Sequence, residues 1–79
     1  MQLLKIDDMY INPEHIEGFR IIDIAVGSTI HIFPVGNTSA YVLDVKESGV
    51  YAEKKLVYIL TEGFAHTKII DWNSFEGGF

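Results

Sequence analysis

Three runs of β-branched and aromatic residues occupy the middle of the chain and direct it towards a sheet-based fold. They cover residues 19–26, 29–33 and 40–45. These residue types favour strands because their side chains pack well on a pleated surface. Turn-forming residues separate the runs, with Gly27 in the first gap and Gly36 in the second. The sequence therefore predicts an antiparallel sheet of at least these three strands.

The register between the runs decides which side chains share a face, because a shift of one residue turns over every side chain of a strand. A two-residue turn between the first two runs would mix polar and apolar residues on both faces. A three-residue loop over 26–28 instead places apolar residues together on one face, and we therefore predict that loop. It places Asp23 opposite His31, with Tyr41 next in the row. One face of the sheet then carries only apolar residues: Ile22, Ile24, Ile30, Ile32, Ala40 and Val42.

The second face of the predicted sheet is also mostly apolar. Around Asp23 and His31 it carries six apolar or aromatic residues: Phe19, Ile21, Phe33, Tyr41, Leu43 and Val45. A solvated face would be polar, so both faces need a cover. A domain of this size buries only about 60–65% of its unfolded surface, yet the 79 residues are 48% hydrophobic and include no cysteine. We therefore predict a homo-oligomer in which the N-terminal segment and another copy of the chain together cover the second face.

Residues 50–62 can supply a cover for the first face. Their apolar residues follow a helical period and their charged residues lie mostly on the other side, which favours an amphipathic helix. Ser48 is the expected N-cap and Gly63 the expected C-cap. The β-prone stretch 56–60 leaves a strand open as the alternative.

The remaining segments complete a single predicted domain over residues 1–72. Two short apolar segments around Asp7 and Asp8 predict a small N-terminal hairpin, and residues 66–72 read as a final strand. The predicted fold class is α+β, mostly β: a small curved antiparallel sheet or partly open barrel with one helix packed on a face.

The C-terminal segment 73–79 is predicted to be a tail of aromatic residues and glycines. Aromatic anchors dominate interface energies, so we predict that Trp72, Phe75 and Phe79 take part in interactions. The sequence leaves open whether the tail docks on its own domain or on another chain.

No catalytic, metal-binding or cofactor-binding residues are predicted. The chain has no cysteine and its three histidines fall in three different segments, without a metal-ligand spacing. The serines lack a nucleophile motif and the glycines are isolated. We therefore predict that the protein is not an enzyme. One alternative stays open, a small-ligand or enzymatic site at the row of Asp23, His31 and Tyr41.

The charge of the chain limits the classes of partner that it is expected to bind. A net charge of −5 argues against nucleic acid and anionic membranes, which repel acidic proteins. It also suits an acidic inhibitor or immunity-type protein that binds a basic partner, which is a second alternative. The sequence shows neither a signal peptide nor a run of about 20 apolar residues, and we expect a cytoplasmic protein.

Several short motifs resemble the small flagellar FlbD-like (swarming motility SwrD-like) family. They are Tyr10-Ile11-Asn12, Ile16-Glu17, Thr29-Ile30-His31-Ile32, Tyr41-Val42 and Lys46-Glu47-Ser48. The resemblance covers roughly residues 3–60 and leaves 64–79 unmatched. It implies a non-enzymatic accessory protein of flagella or motility that acts through contacts.

These observations together predict a small, acidic, non-enzymatic protein-interaction module that self-associates through the second face of its sheet. A different protein partner remains possible. The predicted interaction residues are Phe19, Ile21, Asp23, His31, Phe33, Tyr41, Leu43, Trp72, Phe75 and Phe79.

Overall fold

Six strands and one helix follow one another in the part of the chain that the computed structural model describes, residues 1–36 and 39–76. The strands are β1 (Leu3–Ile6), β2 (Met9–Ile11), β3 (Ile16–Asp23), β4 (Ser28–Pro34), β5 (Tyr41–Val45) and β6 (Ile69–Asp71). Helix α1 (Gly49–Tyr58) continues as a π-helical turn over Ile59–Gly63. Short 3-10 turns cover Pro13–His15 and Trp72–Ser74. The predicted α+β, mostly β class is confirmed.

The strands divide into two three-stranded sheets, and the described strands do not close into a barrel. One sheet has the order β2-β1-β6, with β1 antiparallel to β2 and parallel to β6. The other has the order β3-β4-β5 and is antiparallel throughout. The predicted N-terminal hairpin is confirmed, because Ile6 pairs with Met9 across the two-residue turn. Asp7 adopts a φ of 52° there, which a short polar side chain tolerates.

The predicted register of the second sheet is wrong at both pairings. Asp23 lies opposite Ser28, and His31 lies opposite Arg20 on one side and Val42 on the other. The β3–β4 connection is a four-residue loop over 24–27 rather than the predicted three-residue loop. The row of Asp23, His31 and Tyr41 is therefore not formed.

Gly27 explains the longer loop. Its φ is +86°, and a Cβ at this position would lie 2.0 Å from the carbonyl oxygen of Val45. The loop closes when the backbone N–H of Ile24 donates to the carbonyl of Gly27 at 3.2 Å. Only glycine fits this conformation and this close approach, so the loop includes Gly27 and β4 follows from Ser28.

In the observed register, the side chains of β3 that face the core are not the predicted ones. Phe19 and Ile21 face inward against Ile32 and Ile30, whereas Ile22 faces outward and is exposed. An irregularity in the β3–β4 pairing between Ile16 and Gly18 changes the alternation, so that Ile16 also packs against the core. The buried core joins both sheets and the helix: Leu4, Ile6, Ile11, Ile30, Ile32, Leu43, Val45, Ala52, Leu56, Ile59, Ile70 and Trp72.

The helix predicted over 50–62 is confirmed, but its ends differ from expectation. Ser48 is the N-cap residue without a side-chain capping bond, and Asp23 Oδ1 instead accepts from the backbone N–H of Gly49 at 2.7 Å. Gly63 ends the helical segment without a positive φ. A Cβ there would lie 2.9 Å from Ile70 Cδ1, so a larger residue would require the end of the Ile70 side chain to shift. Within the described residues, no helix has the length and apolar character needed to cross a membrane.

The final strand is shorter than the predicted 66–72. It covers only Ile69–Asp71 and pairs with β1, while Leu3 N–H donates to the carbonyl of Lys68 at 2.8 Å. Asp71 then caps the 3-10 turn by accepting from Asn73 N–H at 3.1 Å, which ends the strand.

We expect Gly27→Ala to destabilise the protein much more than Gly36→Ala. Both glycines have a positive φ, but nothing lies within 4 Å of a Cβ at Gly36. The backbone cost alone is about 1 kcal/mol, and the collision with Val45 adds to it only at Gly27. Urea denaturation of both variants measures the difference. Equal losses of unfolding free energy would show that the approach to Val45 does not constrain the loop.

Candidate functional site

Four of the predicted interaction residues on the β3–β4–β5 sheet belong to the domain's own core. Phe19, Ile21 and Tyr41 are partly buried and pack against the core cluster, and Leu43 is a member of it. They face inward because the β3–β4 and β4–β5 registers differ from the predicted ones. The predicted second face therefore does not exist as one surface.

The residues of the predicted polar row lie on different faces. Asp23 faces inward and caps α1 through Gly49, and Tyr41 packs against the core from the same side. His31 lies on the opposite, outer face between Arg20 and Val42. The three side chains are not brought together, so the structure assembles no Asp-His-Tyr relay.

The three predicted interaction residues near the C-terminus are Trp72, Phe75 and Phe79. Trp72 is fully buried in the core. Phe75 is partly buried, and its ring lies 6.0 Å from that of Tyr58 between centroids. Both side chains therefore dock on their own domain. Phe79 lies outside the described residues.

A buried polar cluster forms where the helix, the second sheet and the C-terminal 3-10 turn meet. Lys55 Nζ donates to Glu47 Oε2 at 2.8 Å and lies 4.5 Å from the centre of the Trp72 ring. Trp72 Nε1 donates to Glu47 Oε1 at 3.1 Å. Ser28 Oγ donates to the backbone carbonyl of Glu47 at 2.8 Å. We call Glu47, Lys55 and Trp72 the buried ion cluster.

Sequence reasoning missed the charged members of this cluster. Lys55 stands in a charged run, and the helical pattern predicts that the charged residues of this segment lie mostly on the solvent side. Its position nevertheless falls on the buried stripe, since Ala52, Lys55, Leu56 and Ile59 follow the spacing i, i+3, i+4 and i+7. A lysine at such a position needs a buried acidic partner, and that requirement is the signal that could have revealed the cluster.

The cluster changes the ionisation of Glu47. Burial alone would raise the pKa of this carboxyl. Hydrogen bonds from Lys55 and Trp72, a backbone hydrogen bond and the charge of Lys55 together outweigh burial and hold the pKa below its ordinary value of 4.5. Glu47 is therefore an ionised carboxylate at neutral pH.

The chemistry of the cluster is structural. Both carboxylate oxygens of Glu47 accept hydrogen bonds, and the side chains of Lys55 and Glu47 are only 5% and 9% exposed. A carboxylate and an amine that bind each other away from solvent have no free position for a substrate. Among the described residues, no group of three or more His, Asp or Glu side chains could hold a metal ion.

The surface of the β3–β4–β5 sheet that the described residues leave uncovered is the strongest candidate for an interaction site. We call the outward side chains of these strands the outer face. Its three exposed, large apolar side chains are Ile22, Phe33 and Val42. Its polar side chains are Arg20, Thr29, His31 and Asp44, with Thr29 Oγ1 donating to Asp44 Oδ1 at 2.7 Å.

No protein-family model matches the chain, and no curated protein or solved structure matches it either. The resemblance to the FlbD-like family therefore stays a prediction.

We expect Lys55→Met to lower the free energy of unfolding by about 3–5 kcal/mol, because it leaves the carboxylate of Glu47 buried without its partner. Lys54→Met is the matched control. It makes the same substitution at the neighbouring exposed position and should cost no more than about 0.5 kcal/mol. Urea denaturation followed by the fluorescence of the single tryptophan measures both. A similar loss in the two variants would contradict the role of the cluster.

The lowered pKa of Glu47 predicts a specific pH dependence of stability. A carboxyl whose folded-state pKa is depressed stabilises the fold above its unfolded value, 4.5, and this contribution is lost as the pH falls through the folded pKa. The difference in unfolding free energy between the unsubstituted chain and Glu47→Gln should therefore be largest above pH 4.5 and shrink below it. Denaturation curves from neutral to acidic pH test this. A difference that is constant with pH would contradict it.

Proposed function

We propose that this protein is a non-enzymatic protein-interaction module that self-associates through the outer face of the β3–β4–β5 sheet. The observation that carries the proposal is a sheet face with three large apolar side chains, Ile22, Phe33 and Val42, that no other described part of the chain covers. The inner face of the same sheet is already covered by the helix and the other sheet.

The apolar character of the surface continues beyond the strands. Val26, in the β3–β4 loop, and Val35, after β4, are both exposed at opposite ends of the sheet. Ile24 is exposed in the same loop as Val26. Single exposed apolar residues are common on protein surfaces, and it is their number on one side of this sheet that supports an interaction site.

The charge of the outer face suits a second copy of the chain as the partner. The protein carries a net charge of −5, which opposes self-association in general. The paired positions of the outer face carry one arginine, Arg20, and one aspartate, Asp44, so these formal charges cancel. Two copies that meet through these paired positions bring no net formal charge together from them, and exposed Glu17 of β3 adds one negative charge beside them.

An enzymatic role has less support. Asp23 and Tyr41 serve the domain's own packing, and the buried ion cluster is closed to substrate. The proposed function therefore depends on contacts and includes no catalytic step.

Light scattering of the full chain tests the proposal. We expect a mass of at least two chains of 8.9 kDa at concentrations of about 100 μM, a range in which an interface of modest affinity assembles. A monomer at all concentrations up to the solubility limit would overturn self-association.

The substitution Val42→Glu should dissociate the assembly, because it places a charge within the apolar group of the outer face. Val50→Glu is the matched control, since Val50 lies on the helix and is 66% exposed, compared with 62% for Val42. Both variants should stay folded, as judged by their unfolding curves. If the two substitutions leave the same mass, the outer face is not the interface.

A further inference from the structure

The two sheets leave a cleft between them near the ends of β2 and β4. Its volume is about 300 Å³, and its lining includes Tyr10 of β2 and Tyr41 of β5. The turn between β2 and β3 contributes Asn12 and His15. We call this space the seam cleft. It lies away from the outer face, because Tyr41 points inward from the second sheet.

The lining of the seam cleft combines apolar, aromatic and polar side chains. Ile11 and Pro34 are buried, and Ile16 is partly buried against the core. Tyr41 is partly buried and Tyr10 is exposed, so one tyrosine from each sheet contributes to the lining. Cavities that bind small molecules combine such apolar walls with a few polar groups.

The polar side chains of the cleft have free hydrogen-bonding capacity. In the described part of the chain, the hydroxyls of Tyr10 and Tyr41 and the imidazole of His15 make no side-chain hydrogen bond. Asn12 Oδ1 accepts from the backbone N–H of Glu14 at 3.0 Å. This bond assigns the oxygen of the amide and leaves its NH₂ group as a donor.

The walls of the cleft are held in place before any ligand binds. His15 N–H donates to the carbonyl of Asn12 at 3.0 Å, and Val35 N–H donates to the carbonyl of His15 at 2.7 Å. The second bond ties the turn to the end of β4. Pro13 restricts the backbone between the two lining residues. A preformed site avoids the entropy cost of ordering these groups on binding.

We propose that the seam cleft binds an uncharged, single-ring aromatic molecule that carries a carbonyl or hydroxyl oxygen. The tyrosines provide aromatic surface for a flat ring, and the Asn12 amide and tyrosine hydroxyls provide donors for an oxygen acceptor. The volume of about 300 Å³ suits one ring. Among the described residues, no Asp, Glu, Lys or Arg side chain lines the cleft, which suits an uncharged ligand. This inference does not depend on self-association.

The first test is an NMR titration of the isotope-labelled full chain with three probes of similar size. Benzamide has an uncharged aromatic ring with a carbonyl, cyclohexanecarboxamide lacks the aromatic ring, and benzoate is anionic. We expect benzamide to cause saturable shifts at Tyr10, Asn12, His15 and Tyr41, with an affinity about tenfold higher than that of the other probes. Absence of saturable shifts, shifts elsewhere in the chain, or equal affinity for cyclohexanecarboxamide would overturn the proposal.

The second test uses two exposed tyrosines. Tyr10→Ala removes part of the cleft lining and should weaken benzamide binding about tenfold. Tyr51→Ala is the control, because Tyr51 lies on the helix and is 50% exposed, compared with 57% for Tyr10. Its affinity for benzamide should not change. Equal affinities of the two variants would exclude Tyr10 from the site and overturn the proposal.

Discussion

Glu47 connects both sheets and the helix of this small domain through hydrogen bonds to its side chain and its backbone. The residue lies between β5 and α1, and its carboxylate accepts from Lys55 on the helix and from Trp72 after β6. Its backbone carbonyl accepts from Ser28 on β4. One residue therefore joins both sheets and the helix. Since its carboxylate is buried, losing a partner would leave an uncompensated charge, and this penalty favours a single arrangement of the three elements.

The start of the helix depends on the same region. Asp23, at the end of β3, accepts from Gly49 N–H and lies so close that a Cβ on Gly49 would approach its carboxylate to 2.9 Å. Gly27 approaches Val45 even more closely, since a Cβ there would lie 2.0 Å from the Val45 carbonyl oxygen. These contacts bring the β3–β4 loop, the end of β5 and the helix N-terminus together. They leave Phe33 and Val42 on the side of the sheet that nothing in the described chain covers, and the proposed interface follows from that position.

The sequence was a good guide to elements whose signals are local. The turn at Asp7 and Asp8, the helix over 50–62 and the strand-rich α+β class all depend on neighbouring residues, and the structure confirms them. Strand pairing is different, because it depends on contacts that are distant in sequence. The hydrophobic pattern alone favoured the register that places Asp23 opposite His31. It carried no information on the carbonyl of Val45, which restricts the loop at Gly27.

The candidate surface was misplaced for the same reason. In the observed registers, four of the residues predicted for this surface are core residues: Phe19, Ile21, Tyr41 and Leu43. Part of the apolar excess that had suggested an oligomer is therefore buried within one chain. The remainder lies on the outer face, where His31 and Phe33 are the two predicted interaction residues that stayed on the outward side of the sheet.

The amino-acid sequence by itself determined the element types, the helix position, the acidic charge and an excess of apolar residues over what a small domain can cover. Local propensity and composition are sufficient for these properties. Only the tertiary structure decided which face of each strand is buried, and it paired Lys55 with Glu47 inside the protein. Both outcomes depend on backbone approaches and charge partners from distant parts of the chain, which spacing along a single sequence does not encode.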